Sequence, residues 1–195
     1  MKRIGLTGGI ASGKSLISEY FQENNVLVLD ADRIYKNLIN TNVVMATEIK
    51  KAFNLQKIDF QALAEIVFDN QKMLRKLNKI AHPFVIRAFK EQLTKLEKTE
   101  SMVVLDIPLL FEAKMEDFCD VIICVYVDPI IQKERLMHRN NISEEEAIKR
   151  INSQMSLSEK AKMSDYVIDN SQDKDYTKNQ FNDIFKKIKE KKDVS

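Results

Sequence analysis

Residues 8 to 15 read Gly8-Gly9-Ile10-Ala11-Ser12-Gly13-Lys14-Ser15, the spacing G-x-x-x-x-G-K-[ST]. Glycines at its two ends let backbone N–H groups turn inward around a polyphosphate, Lys14 adds a fixed positive charge, and the Ser15 hydroxyl can reach a magnesium ion. The chemistry on offer is capture of a nucleoside triphosphate. Ile4-Gly5-Leu6-Thr7 precedes the loop as a short apolar strand, and Leu16, Ile17, Tyr20 and Phe21 follow it at helical spacing. That order suits the task, because a helix N-terminus already favours an anion.

Aspartates form the second set of chemical candidates. Five apolar runs, Ile4–Thr7, Val26–Asp30, Met102–Asp106, Val121–Val127 and Tyr166–Asp169, are rich in Val and Ile and continuous rather than alternating. Strands of a parallel sheet covered on both faces have this texture, which predicts a three-layer α/β domain with a five-stranded parallel sheet. Asp30, Asp106, Asp128 and Asp169 stand at or just after the ends of four runs. Ligands of open parallel sheets lie beyond the carboxyl ends of the strands, so one or more of these acids should serve chemistry beside the loop.

Two stretches exceed what simple crossovers need. Between the second and third strands, Asp59–Phe68 reads as one helix through Leu63, Ile66 and Val67, and Gln71–Leu96 as longer helical material through Leu74, Leu77, Ile80, Phe84, Ala88 and Leu93. Pro83 is expected to break or kink it, having no N–H and a ring that crowds the carbonyl four residues back. Such an insert would form a second wall for an acceptor substrate. Between the fourth and fifth strands, Asp128-Pro129 is a helix start, with Arg135 and Arg139 four residues apart on one face; Asn140-Asn141 ends it, and Ser143-x-x-Glu146 is a capping box for a second helix bearing Arg150. An arginine-studded hairpin there reads as the lid of a phosphoryl-transfer enzyme. The resulting division is a single domain 1–195, with a core of 1–40, 99–128 and 164–195, an acceptor-binding insert 41–98 and a lid 129–163.

The 195 residues carry 31 basic and 29 acidic side chains, a formal charge of +2. This balance argues against a sequence-independent nucleic-acid binder, whose affinity rests on clustered phosphate neutralisation. Lys186 to Lys192, interrupted by Glu190, reads as the solvated face and end of a last helix. Cys119 and Cys124 have no metal-ligand or C-x-x-C spacing and are expected to be reduced. Neither a signal-peptide core nor an 18-residue apolar run is present, so the expected setting is cytoplasmic, away from membranes.

Taken together, Thr7 to Ser15, Asp30-Ala31-Asp32, His82-Pro83, Asp106-Ile107-Pro108-Leu109-Leu110-Phe111-Glu112, Arg135-Leu136 with Arg139, and Asp165-Tyr166-Val167-Ile168-Asp169-Asn170 resemble the dephospho-CoA kinase family in order and interval over nearly the whole chain. The resemblance implies a P-loop NTPase fold like that of adenylate kinase. It also implies ATP-dependent phosphorylation of the ribose 3′-hydroxyl of dephospho-CoA, the closing step of coenzyme A synthesis, with magnesium. On that resemblance Lys14, Asp32 and Arg139 are catalytic, with Asp32 as the base. Gly9, Ile10, Ala11, Ser12, Gly13, Lys14, Ser15, Leu16, Arg139 and Asn170 meet the nucleotide; Asp32, His82, Pro83, Pro108, Leu109, Leu110 and Phe111 meet the acceptor; Ser15 and Asp106 serve the metal. Arg150 is a further lid candidate.

Plainer roles stay open for several of these. Asp32 could cap the next helix, Arg135 and Arg139 could form a solvated face paired with Glu134 or residues 144–146, His82 could be structural, Asp106 a cap, and Pro108 to Phe111 packing. Three positions depart from the family pattern. Ala11 replaces the usual glycine, which a negative φ would permit; Leu16 replaces a hydroxyl residue; Phe60 replaces an arginine after Asp59. A nucleoside monophosphate kinase would share loop, sheet and lid. A GTPase needs Asn-Lys-x-Asp, whereas Asn78-Lys79 continues as Ile80-Ala81. A scaffold that binds without turnover would have no use for intact Lys14, Ser15 and Asp32.

Overall fold

The computed structural model describes residues 1–68 and 70–190. Its strands are β1 (Lys2–Gly8), β2 (Leu27–Asp30), β3 (Met102–Asp106), β4 (Val121–Tyr126) and β5 (Tyr166–Asp169), in the spatial order β2-β3-β1-β4-β5. The β1–β3, β1–β4 and β4–β5 pairs are parallel. The chain divides into two compact units, one of Leu29–Ser101 with Met1, the other of Lys2–Val28 and Met102–Ser195.

In the sheet-bearing unit, α1 (Lys14–Glu23) and α9 (Lys174–Glu190) pack on one face. Ile17, Tyr20, Phe21, Phe181, Ile184 and Phe185 join Ile4, Leu6, Val104, Ile123, Val125 and Ile168 in one apolar cluster. Phe21 meets Phe181 edge-on with centroids 4.9 Å apart, a preferred aromatic geometry. Cys124, between Ile123 and Val125, must point to the opposite face because side chains alternate along a strand. There it packs with Val127 and with Leu157 and Ala161 of α8 (Leu157–Met163). Three layers follow from this alternation.

Burial lifts the Cys124 thiol to about 12, against a smaller opposing pull from Lys160. Cys119 is likewise raised to about 12, by burial and then by the Asp120 charge. Both thiols are free, as expected, and protonated at neutral pH. Along α9, Lys186, Lys187 and Lys189 are exposed while Phe185 and Ile188 are buried, so the lysine run is a solvated face as far as Glu190. Lys191 and Lys192 lie outside the described residues.

The other unit is helical: α2 (Ala31–Thr41), α3 (Val43–Phe53), α4 (Phe60–Phe68) and α5 (Gln71–Leu96). Ile39, Met45, Ile49, Leu63, Val67, Leu77 and Ala81 make its core. Local caps set its helix starts, with Asp30, Asn42 and Asn70 side chains accepting from Arg33, Met45 and Lys72 N–H groups. Asp59, expected inside α4, instead precedes it and accepts from Ala62 N–H.

One alternative of the expectation for this unit fails, since Pro83 does not break the helix. Pro83 lies inside α5, which runs on as a single 26-residue helix. Leu77, Ala81, Val85, Phe89 and Leu93, spaced four apart, are all buried on both sides of the proline. Packing along that stripe carries the helix across the hydrogen bond that Pro83 cannot donate. α3 and α8 had no counterpart in the sequence reading.

Candidate phosphate-binding and transfer site

The loop between β1 and α1 is shaped by its own residues first. Gly13 is the N-cap of α1 with φ +86°, a left-handed conformation that suits glycine, and a methyl there would also strike Asn170 Nδ2. No side chain caps α1 and no acid lies in its first turn, so the positive end of the helix is open to an anion. Ser15 is exposed on that turn. Ala11 has φ +59°, so the negative φ that would have accommodated its methyl is not the conformation it adopts. Its methyl is held in a region where a non-glycine residue costs about 1–2 kcal/mol.

Four distant segments hold the loop. Asn170, buried just beyond β5, donates from Nδ2 to the Ser12 carbonyl at 2.9 Å and accepts from Thr177 Oγ1 at 2.9 Å. Gln132, in α6 (Pro129–Asn140), donates to the Ile10 carbonyl at 2.8 Å. Gln154, after α7 (Glu144–Ile151), accepts the Ile10 N–H at 3.0 Å. Asp106, at the end of β3 and 5% exposed, forms an ion pair with Lys14 and accepts from Ser18 Oγ at 2.6 Å. Lys14 and Ser18 are one helical turn apart on α1, so a single carboxylate takes both.

These bonds revise several sequence expectations. The Ile10 N–H donates to Gln154, and the Ser12 N–H donates to the Gly9 carbonyl at 3.1 Å, so both amides have partners within the protein. Asn170 braces the loop from behind, both ends of its amide engaged within the protein. Asp106 holds Lys14 through one carboxylate oxygen and Ser18 through the other. Of the other strand-end acids, Asp30 caps α2, Asp128 accepts from Ile130 N–H as the cap of α6, and Asp169 folds its own turn through Ser171. Asp106 is the one tied to the loop.

The segment after β3 turns inward. Leu110 and Phe111 are 0% and 5% exposed, interior rather than wall, whereas Pro108 and Leu109 keep partial exposure. Lys160 of α8, fully buried, spans this turn: Nζ donates to the Pro108 carbonyl at 2.6 Å and pairs with Glu112 at 2.9 Å. Thr7 Oγ1 donates to the same carbonyl at 3.1 Å, and Glu112 also accepts from Met155 N–H at 2.9 Å. An ammonium buried this deeply is tolerated because charge and donors are both matched.

Of the acids considered for Arg135 and Arg139 in the α6–α7 hairpin, Glu144 pairs with Lys133 and Glu146 with Arg150. Arg139 is exposed and donates to Asn140 Oδ1 at 3.0 Å. Ser143 caps α7, but the reciprocal capping box forms at Ser156 and Glu159, where α8 begins.

In the helical unit, Asp32 is exposed in the first turn of α2. The capping role falls to Asp30, not Asp32. Burial raises the Tyr35 phenol to about 12, and the Asp32 charge adds to the shift. His82 is half-buried and Pro83 exposed on α5. Gln132, Gln154, Lys160 and Thr177 were missed from sequence, since isolated polar residues in helical patterns look like solvent-facing ones. Only the identity of Glu112, inside a quoted motif, hinted at the turn that Lys160 closes.

The sequence profile of the dephospho-CoA kinases matches residues 2–175. The dephospho-CoA kinase of Oceanobacillus iheyensis is 43% identical over 194 residues, covering 94% of this chain and 96% of that protein. Among solved structures, TT1252 from Thermus thermophilus superposes with a TM-score of 0.79 at 29% identity, covering 96% of this chain and 97% of its own. A dephospho-CoA kinase from Campylobacter jejuni gives 0.71 at 28% identity, covering 96% and 98%.

Proposed function

The chain belongs to the dephospho-CoA kinase family, and we propose that its residues divide the family's reaction between a donor loop and an acceptor carboxylate. The enzyme is a kinase that transfers a phosphoryl group from ATP to dephospho-CoA in coenzyme A biosynthesis. Phosphoryl transfer asks a protein to align donor and acceptor, to neutralise charge on the moving group, and to receive the hydroxyl proton.

Alignment of the donor falls to the loop. The open N-terminus of α1 and the amides of Gly13, Lys14 and Ser15, which precede the first intrahelical donors, meet the triphosphate, and Lys14 adds its charge to the β- and γ-phosphates. Asp106 keeps the Lys14 ammonium directed at the loop. Arg139, exposed on the hairpin, closes on the phosphates. Asp32 orients the ribose 3′-hydroxyl and accepts its proton as the new P–O bond forms and the bond to the ADP oxygen breaks. The family resemblance assigns His82 and Pro83 of the helical unit, and separately Pro108 and Leu109 after β3, to acceptor binding.

A magnesium ion fits this arrangement through Ser15, since magnesium keeps several waters and takes one or two protein oxygens together with substrate phosphates. When bound it neutralises charge that develops between the β- and γ-phosphates. No helix among the described residues is long and apolar enough to cross a membrane.

The observation that carries this reading is the uncapped helix start behind a loop whose lysine is tied to a buried acid. The test is steady-state turnover with magnesium ATP and either dephospho-CoA or a panel of nucleoside monophosphates. Dephospho-CoA should be preferred, and preference for a monophosphate would overturn the acceptor assignment. Asp32→Asn should lower kcat at least about a hundredfold while ATP affinity is retained; near-normal turnover would remove Asp32 from the chemistry.

A further inference from the structure

The carbonyl and N–H of the loop residue Ile10 are both held by side chains, and both holders come from the segment that carries the α6–α7 hairpin. Gln132 donates to its carbonyl at 2.8 Å and Gln154 accepts its N–H at 3.0 Å. Gln132 is 5% exposed, on the first turn and a half of α6, and Gln154 is half-buried just past α7. Everything between them, residues 133–153, is the hairpin, knitted across by Lys133 with Glu144 and along α7 by Arg150 with Glu146. The contact is close: a Cβ on Gly9 would come 2.8 Å from Gln132 Nε2 and 3.2 Å from Leu157 Cγ, so the glutamine amide would have to shift to admit it.

We infer that Gln132 and Gln154 are positioning residues for the donor nucleotide, a two-point clasp on Ile10 that fixes the tip of the loop and couples it to the hairpin. The physical reason lies in hydrogen-bond polarity. A loop peptide left to itself can rotate to present either its carbonyl or its N–H inward, and an inward carbonyl repels phosphate. Gln132, by holding the Ile10 carbonyl, turns the Ala11 N–H of the same peptide to the opposite side, and Gln154 fixes the preceding peptide, whose Gly9 carbonyl is taken by the Ser12 N–H, so the turn enters the Ala11-Ser12-Gly13 bend in a single orientation. The same bonds make the two feet of the hairpin part of the loop's surroundings, so movement of residues 133–153 reaches the phosphate site through Ile10 rather than through side chains at the hairpin tip.

This inference rests on ATP being the donor, and the experiment keeps the two apart. Gln132→Met and Gln154→Met preserve shape and remove one hydrogen bond each. Each should raise KM for ATP about tenfold, the loss expected for one buried bond, while KM for dephospho-CoA stays within about twofold and the melting temperature of the nucleotide-free protein moves by only a few degrees. Gln154→Glu, which still accepts from the Ile10 N–H, should bind ATP better than Gln132→Glu, which can no longer donate to the carbonyl. An ATP KM within about twofold of the parent in both methionine variants would overturn the clasp. So would equal rises in both KM values together with a lowered melting temperature, the mark of residues that are structural only. The parent protein in the same assay tests the functional reading by its turnover of dephospho-CoA. Calorimetric titration of the variants with a nonhydrolysable ATP analogue reads the clasp whichever acceptor is used.

Discussion

The donor loop and the helical unit of residues 29–101 are held together in opposite ways. The loop depends on a few directional bonds from positions far away in the chain: Asn170 on Ser12, Gln132 and Gln154 on Ile10, Asp106 on Lys14. The helical unit depends on an apolar core around Ile49, Leu63 and Leu77, with caps supplied by residues beside each helix. Directional bonds fix orientation, which a phosphate site needs. Apolar burial fixes stability while leaving sequence freedom, which is why a proline can sit in the middle of α5.

That contrast can be broken most sharply at Lys14. Lys14→Ala should lower kcat/KM roughly a hundred- to a thousandfold, as expected when a charge aimed at the reacting phosphates is removed, with little change in melting temperature. A variant that lost stability instead would make the Lys14–Asp106 pair part of the scaffold. Next in size is Ile49→Ala, which removes fully buried methyl groups from the helical unit and should cost about 3 kcal/mol of stability in a denaturant titration. Should it also shift KM for ATP as far as a loop variant does, the two regions would not be separable.

Asn170→Ala sharpens the comparison from the loop side. It leaves the Ser12 carbonyl without its donor and Thr177 without its acceptor, and should cost about 2 kcal/mol. Because the bond restrains Ser12, KM for ATP should rise as well. The smallest effect is a gain. Ala11→Gly relieves the left-handed φ of +59° and should add about 1 kcal/mol, a few degrees in melting temperature. No gain, with the glycine variant equally stable, would mean that the loop already compensates for the alanine.

The pattern of what was legible follows from range. Strand ends at Asp106 and Asp169, the start of α6 at Asp128-Pro129, and α5 from Gln71 to Leu96 were read to the residue, because hydrophobic periodicity and caps are local signals. The glycine-rich loop was legible for the same reason, since its function is written into eight consecutive residues. Asp32 escaped confusion with a cap only once the helix start was seen to fall at Ala31, two residues earlier than a cap at Asp32 would allow.

What needed the tertiary structure was every assignment in which one side chain answers another from across the fold. Glutamine at 132 or 154 has no pattern that distinguishes a solvated position from a bond to Ile10, and a lysine such as Lys160 looks like surface until its fully buried ammonium is found between Pro108 and Glu112. The positive φ of Ala11, the interior placement of Leu110 and Phe111, and the uninterrupted helix through Pro83 are likewise set by packing. By itself the sequence determined which residues could bind phosphate and in what order the elements run, because those properties reside in neighbours along the chain. Only the folded molecule decided which polar groups are left for a ligand and which are spent on the loop, because a hydrogen bond forms over three ångströms of space whatever the distance in sequence.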